Sequence, residues 1–145
     1  MSEKTVIVTN RYIYETSTIS TLPGETVSIN DITETVNHFR CFDFMLDTVD
    51  NVLSEGLIKK YHYYLKRNTV DELRGYLVPG EYKLRPNTVG NTETADPADV
   101  SRKMAKLLDS YNSIPNKTTS RIIDFHYAFE RIHPFQEQGS AMKLK

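Results

Sequence analysis

The sequence has little cysteine, little excess charge and no long hydrophobic run, and each shortage excludes a class of protein. One cysteine, Cys41, permits no internal disulfide and no cysteine-based zinc site. We expect it to be a small buried residue in a reducing cytoplasm. Eighteen basic and nineteen acidic residues give a net charge of −1, which disfavours general nucleic-acid binding. No apolar stretch approaches the roughly 18 residues of a membrane span, and the N-terminus lacks the pattern of a signal peptide.

What is present is the composition of one folded domain. The chain has 145 residues, of which 39% are hydrophobic and 26% charged, and a chain of this size can bury a core of its own. Internal repeats and low-complexity segments are absent from the sequence. We therefore expect a single domain over residues 1–145, and the sequence leaves open whether it forms an oligomer.

Hydrophobic periodicity predicts a mainly α fold. Apolar residues recur at three- and four-residue steps in four segments, which predict helices at 30–53, 54–67, 97–112 and 119–133. Ser28, Ser54 and Asp96 stand at N-cap positions before three of them. The stripes that we expect to face the core are Ile29, Ile32, Val36, Phe39, Leu46, Val49 and Leu53 in the first helix, and Val100, Met104, Leu107, Leu108, Tyr111, Ile122, Phe125, Phe129 and Ile132 in the last two.

Three shorter segments complete the predicted fold. Residues 5–19 are rich in β-branched and aromatic residues, which favours a strand. Residues 69–76 predict one short helical turn. Residues 80–93 predict a small exposed β-hairpin, because prolines and glycines break any helix there while Tyr82, Leu84 and Val89 suggest two short strands.

The residues that could carry chemistry lie at the end of the last predicted helix. His133 is followed by Pro134, which must end the helix and so presents the imidazole to a cleft. Glu137, four residues on, offers the hard oxygen ligand that suits Mg²⁺. A histidine base and a metal-binding carboxylate at this spacing suit the activation of a hydroxyl against a metal-bound phosphate. The alternative is that His133 merely ends the helix and Glu137 is a solvent-exposed side chain.

The same segment carries a family resemblance. The sequence IIDFHYAFERIHPFQE resembles the signature region of the Fic (Fido-domain) family, whose motif runs His-Pro-Phe-x-Asp/Glu-Gly-Asn-Gly-Arg-x-x-Arg. The matching positions are Phe125, His126, Phe129, Glu130, Ile132, His133, Pro134 and Phe135. Upstream, GEYKLRPNTVGNTETADP resembles the substrate-docking hairpin, or flap, of that family. VNHFRCFDFML and LSEGLIKKYHYYL resemble its two early helices, so that the resemblance extends from about residue 12 to residue 137.

The resemblance implies a mainly helical Fic-like domain with a small β-hairpin flap, and an activity. Most members transfer AMP from ATP to a Ser, Thr or Tyr hydroxyl of another protein. By resemblance His133 would be the catalytic base, Glu137 would hold Mg²⁺, and Phe135 and Gly139 would belong to the nucleotide-binding loop. The target protein would add a strand to the flap, whose residues are Lys83, Leu84, Arg85, Asn87, Thr88, Val89 and Gly90.

Two departures from the family pattern bear on the expected activity, and the first of them lowers it. After Glu137, Gln138 and Ser140 replace the two glycines of the motif, while Ala141 and Leu144 replace its two arginines. A one-residue gap would realign Gly139 but restores neither arginine, and the following helix of the family is missing. We therefore expect the degenerate loop at 133–145 to impair ATP binding and transfer. The alternatives are a catalytically inactive protein-binding module and a truncated fragment.

The second departure lies at residues 1–28, in the place of the family's inhibitory helix. The inhibitory glutamate falls on Ser20, or on Pro23 if the extra residues sit earlier. Glu25 can be aligned as Thr21-x-x-x-Glu25, but Thr26 then replaces the Gly or Asn that should follow. Both partners of the inhibitory ion pair are thus missing. Among the other histidines, we expect His126 to be packed and His38 and His62 to form local hydrogen bonds.

Overall fold

A computed structural model describes the strands Lys4–Thr9 and Tyr12–Ile19 and residues 28–137 of the chain. The described residues form a mainly helical fold with two small β-hairpins, so the predicted fold class is confirmed. Within these ranges, no helix is long and apolar enough to span a bilayer.

The helices begin where local capping chemistry predicts. Their bounds are α1 (Ile29–Asp47), α2 (Glu55–Lys66), α3 (Val70–Leu73), α4 (Val100–Asn112) and α5 (Thr119–Ile132), with a 3₁₀ turn over Pro97–Asp99 before α4. Ser28, Ser54 and Thr118 each accept a hydrogen bond from the backbone N–H three residues later, which satisfies an otherwise unpaired helix donor. Asp96 accepts from the N–H of Ala98, and Pro97 fills the first helical position.

Both predicted β segments form antiparallel hairpins. Strand β1 (Lys4–Thr9) pairs with β2 (Tyr12–Ile19), so the strand-forming segment 5–19 holds two strands rather than one. Strand β3 (Thr88–Val89) pairs with β4 (Thr92–Glu93), with Gly90 at a φ of 61° in the turn. This second pair lies within the predicted range 80–93, and we call residues 83–94 the flap hairpin.

Helix α1 ends at Asp47 and not at residue 53 as predicted. The Thr48 hydroxyl donates to the Phe44 carbonyl at 2.7 Å, and the chain turns through residues 48–51. The apolar spacing continues past this point because Leu53 packs against the core. The Leu53 carbonyl accepts a hydrogen bond from the Asn112 side chain of α4 at 2.8 Å. Leu53 is therefore part of a connection that contacts α4.

The buried face of α1 also differs from the prediction. Of the predicted stripe, Val36 is buried, whereas Ile29, Ile32, Phe39, Leu46 and Val49 are exposed. The face that meets α2 instead carries polar and mixed residues, and the contacts run through Asn37, Cys41 and Phe44. The Asn37 amide donates to the carbonyls of Leu65 and Arg67 at 3.1 and 2.7 Å, and the Phe44 ring lies 5.7 Å from that of Tyr61. Cys41 is half-buried beside the Tyr61 carbonyl.

The core lies between α2, α4 and α5. Its buried members are Ile58, Ala95, Val100, Met104, Leu108 and Ile132, with Phe125, Phe129 and Phe135 packed against them. Ile122 is half-exposed, contrary to the prediction. The ring of Phe125 contacts Tyr111 in the last turn of α4, and Phe125 is the first residue of α5 that packs against the core.

Two further predictions concern residues outside this core. His126 is exposed on α5 and not packed. Ser20, Pro23 and Glu25, at the expected place of the inhibitory glutamate, lie outside the described residues. The part of residues 1–28 that precedes them is described as the strands β1 and β2.

Candidate active site

His133 ends α5 in an unusual backbone conformation. Its φ and ψ are 47° and 67°, in the left-handed region, while its N–H donates to the Phe129 carbonyl at 2.9 Å. Pro134 follows and cannot continue the helix. A residue other than glycine in this region carries roughly 1 kcal/mol or more of strain, so the surrounding structure has to hold it there.

The flap hairpin supplies the contacts that hold the backbone around His133 in place. The backbone N–H of Lys83 donates to the Pro134 carbonyl at 2.8 Å, and the Lys83 ammonium donates to the Ile132 carbonyl at 3.3 Å. The Asn87 amide donates to the Phe135 carbonyl at 3.2 Å. We call these contacts between the flap hairpin and residues 132–135 the seam. Through it, Lys83 binds the carbonyls on both sides of His133.

The ammonium of Lys83 is buried. The residue is only 2% exposed, and Nζ also donates to Asn87 Oδ1 and Thr94 Oγ1, each at 2.7 Å. The Thr94 hydroxyl in turn donates to Asn87. Burial lowers the pKa of Lys83, Lys103 lowers it further, and Asp96 opposes the change. Three oxygens therefore replace the water that the cation has lost.

A second contact, with helix α2, holds the loop that follows His133. The ring of Phe135 stacks on His62 of α2, with centroids 4.0 Å apart and planes 7° apart. His62 Nδ1 accepts the N–H of Gly80 at 2.9 Å, so the ring is neutral and carries its proton on Nε2. Burial, and secondarily Lys66, lowers the pKa of His62 to about 4. The stacking was not predicted, because nothing local in the sequence relates His62 to Phe135.

Glu137 lies next to His133 and opens to solvent. Its Oε2 is 3.8 Å from His133 Nε2, and its side chain is 60% exposed. In the described part of the chain, no group of three or more His, Cys, Asp or Glu side chains could hold a metal ion. A single exposed carboxylate group nevertheless suits Mg²⁺, which commonly takes one or two protein carboxylates together with substrate phosphates and water.

A cleft of about 640 Å³ adjoins the seam. It lies between the first arm of the flap hairpin and the segment after α3. Its lining includes Tyr76, Leu84, Arg85 and Gln136. The Arg85 guanidinium donates to the Tyr76 carbonyl at 3.0 Å, and the Arg85 N–H donates to Gln136 Oε1 at 3.2 Å. The cleft therefore has a polar wall that joins the flap hairpin to the loop after His133.

Comparison with known proteins identifies this arrangement. The family model for the Fic/DOC family matches residues 52–138, which is more than half of the chain. The chain belongs to the Fic/DOC family. No curated protein sequence matches it.

Solved Fic structures have the same fold. A Fic domain containing signaling protein from Bacteroides thetaiotaomicron is 22% identical and aligns with a TM-score of 0.66 over 81% of this chain and 47% of its own. A Fic family protein from Desulfovibrio desulfuricans is 26% identical, with a TM-score of 0.64 over 81% of this chain and 35% of its own. This chain therefore spans less than half the length of either protein.

The structure of this Fic domain brings most of the predicted site residues together. His133, Phe135 and Glu137 lie on one loop, and the seam joins that loop to the flap hairpin. Gly139 lies outside the described residues. The exposed residues of the predicted docking set are Leu84, Arg85, Thr88, Val89 and Gly90.

Lys83 and Asn87 have a different position from the one that a docking role implies. Both side chains are buried and face the loop that contains His133. Neither side chain is available to contact a docked target. The prediction that the flap hairpin binds a target through its main chain is unaffected, and stays a prediction.

Proposed function

We propose that this Fic domain transfers AMP from ATP to a Ser, Thr or Tyr hydroxyl of a protein target, at a low rate. The observation that carries the proposal is that His133 follows the last residue of α5 and lies between the flap hairpin and the exposed carboxylate of Glu137. A target segment on the flap hairpin would bring its hydroxyl beside the imidazole.

His133 acts as the general base in the proposed reaction. The hydroxyl oxygen of the target forms a bond to the α-phosphorus of ATP while the bond to the β-phosphate oxygen breaks and pyrophosphate leaves. The hydroxyl proton moves to the imidazole of His133, which supplies roughly 10²–10⁴-fold of rate enhancement in such reactions. Bound by Glu137 and the nucleotide phosphates, Mg²⁺ would offset the negative charge of the phosphates.

The flap hairpin is suited to binding an extended segment. Strands β3 and β4 pair only with each other among the described residues, so each has an edge with open main-chain groups. Thr88 and Val89 are exposed on one of these edges. Main-chain hydrogen bonds to an added strand would fix the register of the target. The seam fixes the distance between that strand and His133.

The low rate follows from the residues after Glu137. Family members place glycines and arginines where this chain has Gln138, Ser140, Ala141 and Leu144. Removing one preorganised group that stabilises developing charge costs roughly 10²–10³-fold in kcat. The loss of two arginines therefore lowers the expected rate by several orders of magnitude, even if the two effects are only partly additive.

The same substitutions favour a second candidate, a target-binding module without catalysis. The seam and the flap hairpin involve residues 83–94 and 132–135, none of which belongs to the altered part of the motif. A target could therefore bind without any transfer. Catalysis needs His133 as a base, whereas binding to the flap hairpin does not.

Incubation with α-³²P-labelled ATP, Mg²⁺ and candidate targets separates the two functions. We expect weak labelling of a target or of the chain itself, lost in His133→Ala and kept in His126→Ala, the matched change at an exposed histidine of α5. Label that survives in His133→Ala would contradict the proposed mechanism. Absence of label, with target binding that is weakened by Val89→Asp, would support the binding module. Strong label that requires His133 would show that the altered loop does not limit the rate.

A further inference from the structure

The hydrogen bonds of the Lys83 side chain reach both the flap hairpin and the helix end at His133. Its ammonium contacts Asn87 and Thr94 on the flap hairpin and the Ile132 carbonyl on α5. Its own backbone N–H binds the Pro134 carbonyl. The carbonyls of the residue before His133 and of the residue after it are thus both held by one residue.

From this geometry we infer that Lys83 is a positioning residue for His133. The backbone of His133 is in a strained left-handed conformation, and such conformations persist only where neighbouring contacts over-determine them. The bond to Ile132 holds the peptide that precedes His133, and the bond to Pro134 holds the second peptide after it. They therefore restrain the backbone that sets the direction of the His133 Cα–Cβ bond, and through it the placement of the imidazole, without any contact between Lys83 and the ring. The inference rests on the proposed function in assigning a catalytic use to that orientation.

The chemistry of the site explains why a cation is suited to this place. The last carbonyls of a helix lack intrahelical partners and carry partial negative charge. A lysine provides three donors on one atom, and here each donor has an acceptor: Ile132 O, Asn87 Oδ1 and Thr94 Oγ1. A hydrophobic side chain of similar length would fill the volume but would leave these oxygens without that donor.

The test compares Lys83→Met with Lys106→Met, a matched change at an exposed lysine of α4. NMR at one fixed pH would follow the ring Cε1–H signals of the four histidines. We expect the signal of His133 to move in Lys83→Met, while the signals of the exposed His38 and His126 stay in place. Lys106→Met should move none of them. Lys83→Arg, which keeps a cationic donor, should return the His133 signal towards its wild-type position.

Kinetics give the second readout. In Lys83→Met, we expect kcat for transfer to fall by about 10²-fold, as for a misplaced catalytic group, while KM for the target changes much less. The NMR measurement does not depend on catalysis. If the chain shows no transferase activity, the proposed function is refuted, and the spectra alone decide whether Lys83 positions His133. An unmoved His133 signal in folded Lys83→Met would overturn the inference.

Two further measurements apply if Lys83→Met does not fold. Thr94→Val removes one of the three oxygens around the ammonium, and we expect it to move the His133 signal in the same direction by a smaller amount. In the wild-type chain, acetylation followed by mass spectrometry should label Lys83 at least about 10-fold more slowly than Lys106, because its ammonium reacts only after local opening. Equal labelling of the two lysines, or an unmoved signal in Thr94→Val, would contradict the inference.

Discussion

Acid should destabilise this domain through His62, which lies on α2 and is one of the four histidines of the chain. His62 is 8% exposed, accepts a hydrogen bond from Gly80 and stacks on Phe135. Protonation would remove the acceptor at Nδ1 and place a charge in the interior. Burial, together with nearby Lys66, accordingly lowers the pKa of His62 from 6.5 to about 4.

The sign of the effect follows from which state takes up the proton. Above pH 6.5 the imidazole is neutral in both states, and stability does not depend on it. Between pH 6.5 and about 4 the unfolded chain binds a proton that the folded chain excludes, so the free energy of unfolding falls as the pH falls. At 1.36 kcal/mol per pKa unit, the full loss is roughly 3 kcal/mol, most of it present at pH 4.5.

Urea unfolding followed by circular dichroism at pH 7 and pH 4.5 measures this loss. His62→Gln should be less stable than the wild type at pH 7, because it loses the stacking on Phe135, but it should lose about 2–3 kcal/mol less between the two pH values. His126→Gln, at an exposed position, should keep the pH dependence of the wild type. An unchanged pH dependence in His62→Gln would refute the assignment to this residue.

Two further predictions concern packing and backbone conformation, and the same urea titration at pH 7 checks both. Met104 is fully buried, so Met104→Ala should lower the free energy of unfolding by about 2–5 kcal/mol. Met45 is exposed on α1, and Met45→Ala should lower it by less than about 1 kcal/mol. Similar losses in the two variants would place Met104 outside the core. Gly75 and Gly80 both have positive φ, but only a Cβ at Gly80 meets other atoms, at 3.3 Å. Gly75→Ala should therefore lower the free energy of unfolding by about 1 kcal/mol, and Gly80→Ala should lower it clearly more. Equal losses would show that the crowding at Gly80 is relieved by movement of its neighbours.

The parts of the fold that were predictable depend on residues close in sequence. Ser54 caps α2 through a hydrogen bond to the third residue after it, and Asp96 with Pro97 starts the turn before α4. Such bonds are almost independent of the rest of the chain, so the sequence predicts them. The position of His133 at a helix end was predictable for the same reason, because Pro134 alone forbids a further turn.

The end of α1 could not be predicted in this way. Its apolar spacing runs on to Val49 and Leu53, and periodicity alone cannot tell a continued helix from a connection that packs against the core. The outcome was decided by contacts distant in sequence, such as the bond from Asn112 to the Leu53 carbonyl. The prediction of the buried face of α1 was wrong for a similar reason. Asn37 is buried because its amide completes the end of α2, a role that hydrophobicity does not reveal.

The seam lay equally beyond local reasoning, because its partners are 48 to 51 residues apart. Lys83 has the sequence character of an exposed residue on a hairpin, and lysine is rarely buried without partners. Its burial becomes understandable only when Asn87, Thr94 and the Ile132 carbonyl are placed around it. A family resemblance could assign Lys83 to the flap hairpin, but it could not show which way the side chain points.

The strain at His133 and the burial of Lys83 are two costs that the same contacts offset. Without the seam, the left-handed conformation of His133 would relax by a rotation of its flanking peptides, and the ammonium of Lys83 would have to return to water. With the seam, one of the bonds that satisfies the cation also restrains the peptide before His133, and the backbone N–H of the same lysine restrains the chain after it. The flap hairpin cannot then move far from His133 without exposing or orphaning a charge, which is costly in a protein interior. The surface proposed to bind the target and the proposed base are therefore mechanically one unit.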